Sequence, residues 1–197
     1  MRSPYNFLIE PKGDRYDNVV ELEGGGELIV NTEIQNHQFV SRQAIVKGVP
    51  SMYDIGVQIG DTVIVHHNVF RRFHNARGVE VNSKSYFMDD LFIVGPDQIF
   101  MYNRNDGWKP LPGYCFVKPL KNTDELSAEL LEKHVGEMKY CSEEQLAEGI
   151  TPGTVVGFAP HSEYEFIIDD EKLYRVLTDK ICILYGPEYY QEVQGDN

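Results

Sequence analysis

His66-His67 offers two adjacent imidazoles, the donor type that zinc and copper sites use. On a strand, neighbouring residues point to opposite faces, so one ion is out of reach of both. His37, His74, His134 and His161 stand in polar sequence without the spacing of a ligand set, and Cys115, Cys141 and Cys182 form no Cys-x-x-Cys pair. Surface histidines and no metal are therefore the expectation. Glu163, Glu165, Asp169, Asp170 and Glu171 spread along a predicted hairpin with Asp169-Asp170 at its tip. Hydrolysis by paired carboxylates needs a pocket between them, and the sequence locates none. They read instead as a solvated edge that discourages unwanted strand pairing. Gly24-Gly25-Gly26-Glu27 is not followed by Gly-Lys-Ser/Thr, so it is no phosphate loop. Arg71-Arg72, between Phe70 and Phe73, reads as an exposed turn, with contact to a partner as the alternative. No constellation of an enzyme emerges, and no cofactor is called for.

The chain has 197 residues, enough for one large domain or two of roughly 100 residues. A net charge of −13 repels phosphate backbones and argues against nucleic-acid binding, while favouring solubility in an assembly. The sequence contains no apolar run long enough for a membrane span, and Met1-Arg2-Ser3-Pro4-Tyr5 lacks the apolar core of a signal peptide. Three unpaired cysteines suit a reducing compartment. The expected location is the cytoplasm.

Organisation along the chain predicts a mainly β protein. Tyr5 to Glu10, ended by Pro11, and Gln43 to Val49, closed by Pro50, read as strands; so do Thr62 to His66 and Leu91 to Val94. Residues 97–113 are turn-rich and read as a junction between domains at 1–96 and 114–197. Tyr114-Cys115-Phe116-Val117-Lys118-Pro119 then restates the opening strand. Gly153-Thr154-Val155-Val156-Gly157-Phe158 restates Gly60-Asp61-Thr62-Val63-Ile64-Val65, and Ile181 to Leu184, followed by Gly186-Pro187, restates Leu91 to Val94, followed by Gly95-Pro96. The copies share landmarks but few identities, so a duplication and two unrelated β-domains both remain open. Only the first copy carries the glycine triplet Gly24-Gly25-Gly26 and the aliphatic triplet Leu28-Ile29-Val30. In their place the second has Thr123 to His134, where Leu126, Leu130 and Leu131 share one helical face and predict a short helix.

Taken in order, Gly25-Gly26, Leu28-Ile29-Val30, Ala44 to Gly48, Gly60-Asp61, Thr62 to Val65 and Asp90-Leu91-Phe92-Ile93 resemble the GroES family of co-chaperonins across nearly all of residues 5–96. The resemblance implies two GroES-like irregular β-barrels in tandem, the first bearing a mobile loop over about 17–42 and the second degenerate. It departs from the family where Glu27 separates glycines from triplet and where the roof hairpin shrinks to Val49–Gln58, a shortening known in phage-encoded members. It further implies a heptameric ring capping an ATP-bound group I chaperonin around an unfolded client. Leu28, Ile29 and Val30 would contact the chaperonin, Gly24, Gly25 and Gly26 would give the loop its freedom, and the strands Tyr5 to Glu10 and Leu91 to Val94 would join neighbouring subunits. Without the resemblance, Leu28-Ile29-Val30 is most simply a short buried strand. A structural virion protein reusing the same β-fold is the alternative from another class. An oxidoreductase remnant, testable by stoichiometric zinc, is a third.

Overall fold

The computed structural model describes residues 3–16, 19–22, 26–29, 40–121 and 131–186. The chain divides into two compact units, Met1–Gly107 and Trp108–Asn197. Runs rich in β-branched and aromatic residues become strands in both. The first unit holds β1 (Phe7–Pro11), β2 (Val19–Leu22), β3 (Gly26–Ile29), β4 (Gln43–Gly48), β5 (Thr62–Val65), β6 (Arg72–His74), β7 (Glu80–Asn82), β8 (Tyr86–Met88), β9 (Leu91–Val94) and β10 (Ile99–Asn103). The second holds β11 (Trp108–Pro110), β12 (Tyr114–Lys121), β13 (Leu131–Tyr140), β14 (Val155–Phe158), β15 (Tyr164–Ile168), β16 (Glu171–Leu177) and β17 (Ile181–Leu184), with one short α-helix, α1 (Glu143–Ala147). The protein is mainly β. Residues 97–113, read from sequence as a junction, contain β10, β11 and the boundary between the units.

One arrangement occurs twice. The first unit orders its strands β8-β9-β1-β4-β5-β10, the second β15-β16-β12-β13-β14-β17, and neighbours are antiparallel in both. In β1, Leu8 faces Gly48 and Ile9 faces Val46, with a bulge between them; in β12, Phe116 faces Tyr140 and Val117 faces Met138, with the bulge at the same step. On the other side Phe7 meets Val94 and Ile9 meets Phe92, as Cys115 meets Val176 and Val117 meets Tyr174. A bulge is a specific local feature, so its repetition at matched positions is hard to reach by chance.

The turns repeat as well. Gly60, at φ 94°, donates its N–H to the Val46 carbonyl at 2.8 Å, while the Val46 N–H donates to the Asp61 carbonyl at 3.0 Å. Gly153, also at φ 94°, donates to the Met138 carbonyl at 2.8 Å, and the Met138 N–H donates to the Thr154 carbonyl at 2.8 Å. Left-handed backbone of this kind is what glycine allows without a Cβ penalty. The Asp61 carboxylate accepts from the Gln58 N–H at 2.7 Å, and the Thr154 hydroxyl accepts from the Thr151 N–H at 3.3 Å. Both outer hairpins turn on an Asp-Asp pair, Asp89-Asp90 (φ 40° and 61°) and Asp169-Asp170 (φ 50° and 63°). Two left-handed residues match the right-handed twist of the flanking strands.

Register corrects part of the sequence alignment. The strand equivalent to β9 is β16, and β17 corresponds to β10. Gly-Pro punctuation after Val94 and after Tyr185 misled the comparison; Asp97 and Asp179, each inside a 3₁₀ turn (Pro96–Gln98 and Thr178–Lys180), are the true counterparts. Closed barrels are not formed. β8 pairs only with β9, β15 only with β16 and β17 only with β14, so each order stays open. The helix expected over Thr123–His134 is also corrected: Leu131 to His134 belong to β13, where Leu131 continues the ladder opposite Lys121. Residues 122–130 lie outside the described residues.

The helix of the second unit is α1, started by a capping box in which the Ser142 hydroxyl accepts from the Gln145 N–H and the Gln145 side chain accepts from the Ser142 N–H. In the first unit the equivalent connection, 49–58, contains no strand, only the isolated bridge Ser3↔Pro50. Its turns border an open cavity of about 710 Å³ lined by Phe7, Met52, Tyr53 and Ile59 among others. Finally, β1 lies between β9 and β4, and β9 between β1 and β8. Both edges of each are occupied within the unit, so neither can join a neighbouring subunit by strand pairing. Among the described residues no helix is long and apolar enough to cross a membrane.

Candidate functional site

The segment that carries the aliphatic triplet is flanked by Tyr16 and Val40, and these two residues form an isolated antiparallel bridge. Below it, the Ser41 N–H donates to the Arg15 carbonyl and the Lys12 N–H to the Gln43 carbonyl, both at 2.9 Å. The stem is thus an extension of the β1–β4 ladder. Among the described residues β2 and β3 pair only with each other, Val19 opposite Ile29, Val20 opposite Leu28 and Leu22 opposite Gly26. Gly26, Leu28 and Ile29 therefore stand on a two-stranded sheet separate from the main one. Gly24, Gly25 and Val30 lie outside the described residues.

A second hairpin holds the stem from the side. β6 and β7 pair through Arg72 opposite Asn82 and His74 opposite Glu80. From the stem, the Arg15 guanidinium donates to the Asn82 side-chain oxygen at 2.9 Å and to the Phe70 carbonyl at 2.8 Å, and lies 5.1 Å over the Phe92 ring. In the opposite direction, the Arg72 N–H donates to the Tyr16 hydroxyl at 2.6 Å, and the Arg72 guanidinium lies 4.8 Å over the Tyr16 ring. Glu80 takes the far end of Arg72 at 2.7 Å. Burial first, then the charge of nearby Arg72, pulls the Arg15 pKa below its ordinary value; a guanidinium still keeps its proton at neutral pH. Cation–π contacts contribute about 0.5–1 kcal/mol at exposed sites and more when desolvated. Sequence reasoning took Arg71-Arg72 for an exposed turn. The available signal was an Arg beside aromatics, with Tyr16 at the start of the glycine-rich segment.

Elsewhere the chemistry-bearing residues do not assemble. His66 and His67 lie just past the end of β5, so strand alternation does not apply; their rings stack at 4.3 Å and 30°. The His66 Nδ1 accepts from the Asn68 N–H at 3.1 Å. No group of three or more His, Cys, Asp or Glu among the described residues is placed to hold a metal ion. Cys115 and Cys141 are buried in the second unit's core, and burial pushes their thiols up to about 12 and about 11. Asp169 is more than a solvated tip, because its carboxylate accepts from the Trp108 indole N–H at 2.8 Å. Glu171, held by Lys118 and Lys139 at 2.7 Å each, has its pKa depressed by those two hydrogen bonds.

No family model and no curated protein sequence matches this chain. The functional reading therefore rests on the residues and their geometry.

Proposed function

We propose that this protein is a non-enzymatic co-chaperonin of the GroES type, built from tandem GroES-like units and encoded by a phage. It forms a ring of seven chains that caps an ATP-bound group I chaperonin in the cytoplasm of the host and encloses an unfolded client. The observation that carries this reading is the pairing of Leu28 and Ile29: among the described residues their strand pairs with β2 alone, in a sheet distinct from the main one, next to a stem held by the β6–β7 hairpin. A buried core strand, the plainer reading of the same residues, would be paired into the main sheet. The ordered landmarks from Gly25-Gly26 to Asp90-Leu91 support the same conclusion.

Energetics then demand a ring. Burying three aliphatic side chains yields roughly 1.5–3 kcal/mol each, and ordering about five residues of a loop costs roughly 1–2 kcal/mol each. One hook nearly breaks even. Several hooks on one rigid assembly bind well, because each attachment after the first is intramolecular, and weak single contacts let the cap come off again. The nucleotide chemistry belongs to the chaperonin, so this chain uses no cofactor.

A chaperonin pull-down with and without ATP, repeated with Ile29→Asp, tests the proposal. Capture that requires ATP and disappears in the variant supports it. Capture indifferent to both nucleotide and substitution, or a stable monomer at micromolar concentration, rejects it.

A further inference from the structure

We infer that Arg72 and Tyr16 are positioning residues for the hook, and that the β6–β7 hairpin is a brace fixing the stem, Arg15 and Tyr16 against Val40 and Ser41, from which the hook is presented. This rests on the cap reading above and deepens it. Between the equivalent strands β5 and β8, and β14 and β15, the first unit spends residues 66–85 and the second only 159–163. The β6–β7 hairpin is the part of that insert with no counterpart. The aliphatic triplet likewise occurs in the first unit alone. These two unshared features meet each other at the stem.

The contacts between them are reciprocal. Arg15 reaches from the stem to Phe70 and Asn82, and Arg72 reaches from the hairpin to Tyr16 through both its backbone N–H and its guanidinium. Asn82 sits opposite Arg72 in the hairpin register, so one cross-strand pair engages both stem residues. The Arg72–Glu80 ion pair ties the two hairpin strands together at the same point. The Ser83 hydroxyl donates to the Val69 carbonyl, and Val69 and Phe70 are fully buried, so the brace is anchored in the core at its base.

A clamped stem has a direct consequence for weak hooks. Binding ends up stronger when less freedom remains to be lost, and multivalent attachment depends on where each tether begins. Fixing Tyr16 limits the directions in which the hook can be presented, which raises its effective concentration at the partner's groove. The brace adds affinity without touching the partner.

The test uses the full chain with Tyr16→Phe, which keeps the ring but loses the hydroxyl acceptor, and with Arg72→Ala. Hydrogen exchange on the free protein is expected to quicken about tenfold at the residue-72 and Ser41 amides in Tyr16→Phe, as befits the lost hydrogen bond at the stem, and about threefold in Arg72→Ala, which keeps the backbone donor and loses only the guanidinium over the Tyr16 ring. Val46 and Gly60, remote in the β4–β5 turn, keep their protection. Chaperonin affinity in the presence of ATP falls several-fold in both variants while the mass of the assembly and the protection of Val46 and Gly60 stay those of the wild type, which a general structural defect would not spare. Unchanged exchange at both stem amides overturns the brace, and so does faster exchange with unchanged affinity. Failure of the wild-type chain to bind any chaperonin removes the cap reading instead, and the exchange measurement alone then decides whether the hairpin braces the stem.

Discussion

β10 and β17 occupy the same place in the two units, yet they meet different surroundings. Ile99, Phe100 and Met101 of β10 are at most 2% exposed, whereas Ile183 and Leu184 of β17 are 50% and 55% exposed. The backbone entry is the same: the His66 N–H donates to the Gln98 carbonyl at 3.0 Å, and the Ala159 N–H donates to the Lys180 carbonyl at 2.9 Å. After that bond the first unit continues into its long insert, which places His66 against Phe100 and buries Val69 and Phe70. The second returns at once to β15. A shared register fixes the ladder, and what covers its faces is decided by the connections. The copies have diverged in those connections, with the aliphatic triplet and the β6–β7 hairpin on one and the helix α1 on the other.

Three experiments sharpen or break that comparison. The largest effect is expected at Phe92, fully buried, edge-on to Phe70 at 4.8 Å and capped by Arg15. Phe92→Ala should cost about 3–5 kcal/mol in urea unfolding, while Tyr174→Ala at the matched, half-buried position should cost about 1–2 kcal/mol. Equal losses would mean that the insert adds no burial of consequence.

A smaller effect is expected where β13 crosses β12. A Cβ on Gly136 would lie 2.4 Å from Val117 Cγ1 and 2.6 Å from the Lys118 carbonyl oxygen. Gly136→Ala should therefore destabilise by about 1–3 kcal/mol through overpacking. Its counterpart Ala44, opposite Pro11 as Gly136 is opposite Pro119, already carries that methyl in a fully buried site. Ala44→Gly should cost only about 0.5–1 kcal/mol. A harmless Gly136→Ala would show that the two ladders are not packed differently there.

The smallest effect concerns thiols. At pH 8 a maleimide should label exposed Cys182 quickly and leave buried Cys115 and Cys141 unmodified until unfolding. Because burial raises both buried thiols above the ordinary value of 9.0, the folded state holds their protons longer than the unfolded chain does. Their favourable contribution is complete below pH 9 and fades as pH climbs toward about 11–12. Stability flat across that range would contradict the burial.

Much of the β framework could be read in the sequence because it is written in short local signals. Gly60-Asp61 and Gly153-Thr154 each precede a β-branched run, and both make the same turn. What escaped was set by pairing at long range. Leu126, Leu130 and Leu131 have helical spacing, but the ladder partner Lys121 places Leu131 in a strand. Leu91–Val94 and Ile181–Leu184 look alike as apolar runs; only their partners, β1 and β14, tell an interior strand from an exposed one. The stem clamp was invisible for the same reason, since Tyr16 and Arg72 lie far apart in sequence and meet through the folded hairpin.

Placing an early strand in the middle of each sheet has a kinetic consequence. Phe7 pairs with Val94, and Cys115 pairs with Val176, so β1 and β12 wait for nearly the latest strand of their units. On the ribosome, β1 spends most of its unit's synthesis with one flank unpaired, and neither sheet can be completed before its span has emerged. Such nonlocal pairing sets folding in the slow regime of milliseconds to seconds. An apolar strand held open for that long is exposed to wrong partners, so each unit passes its most aggregation-prone moment just before its interior strand is closed.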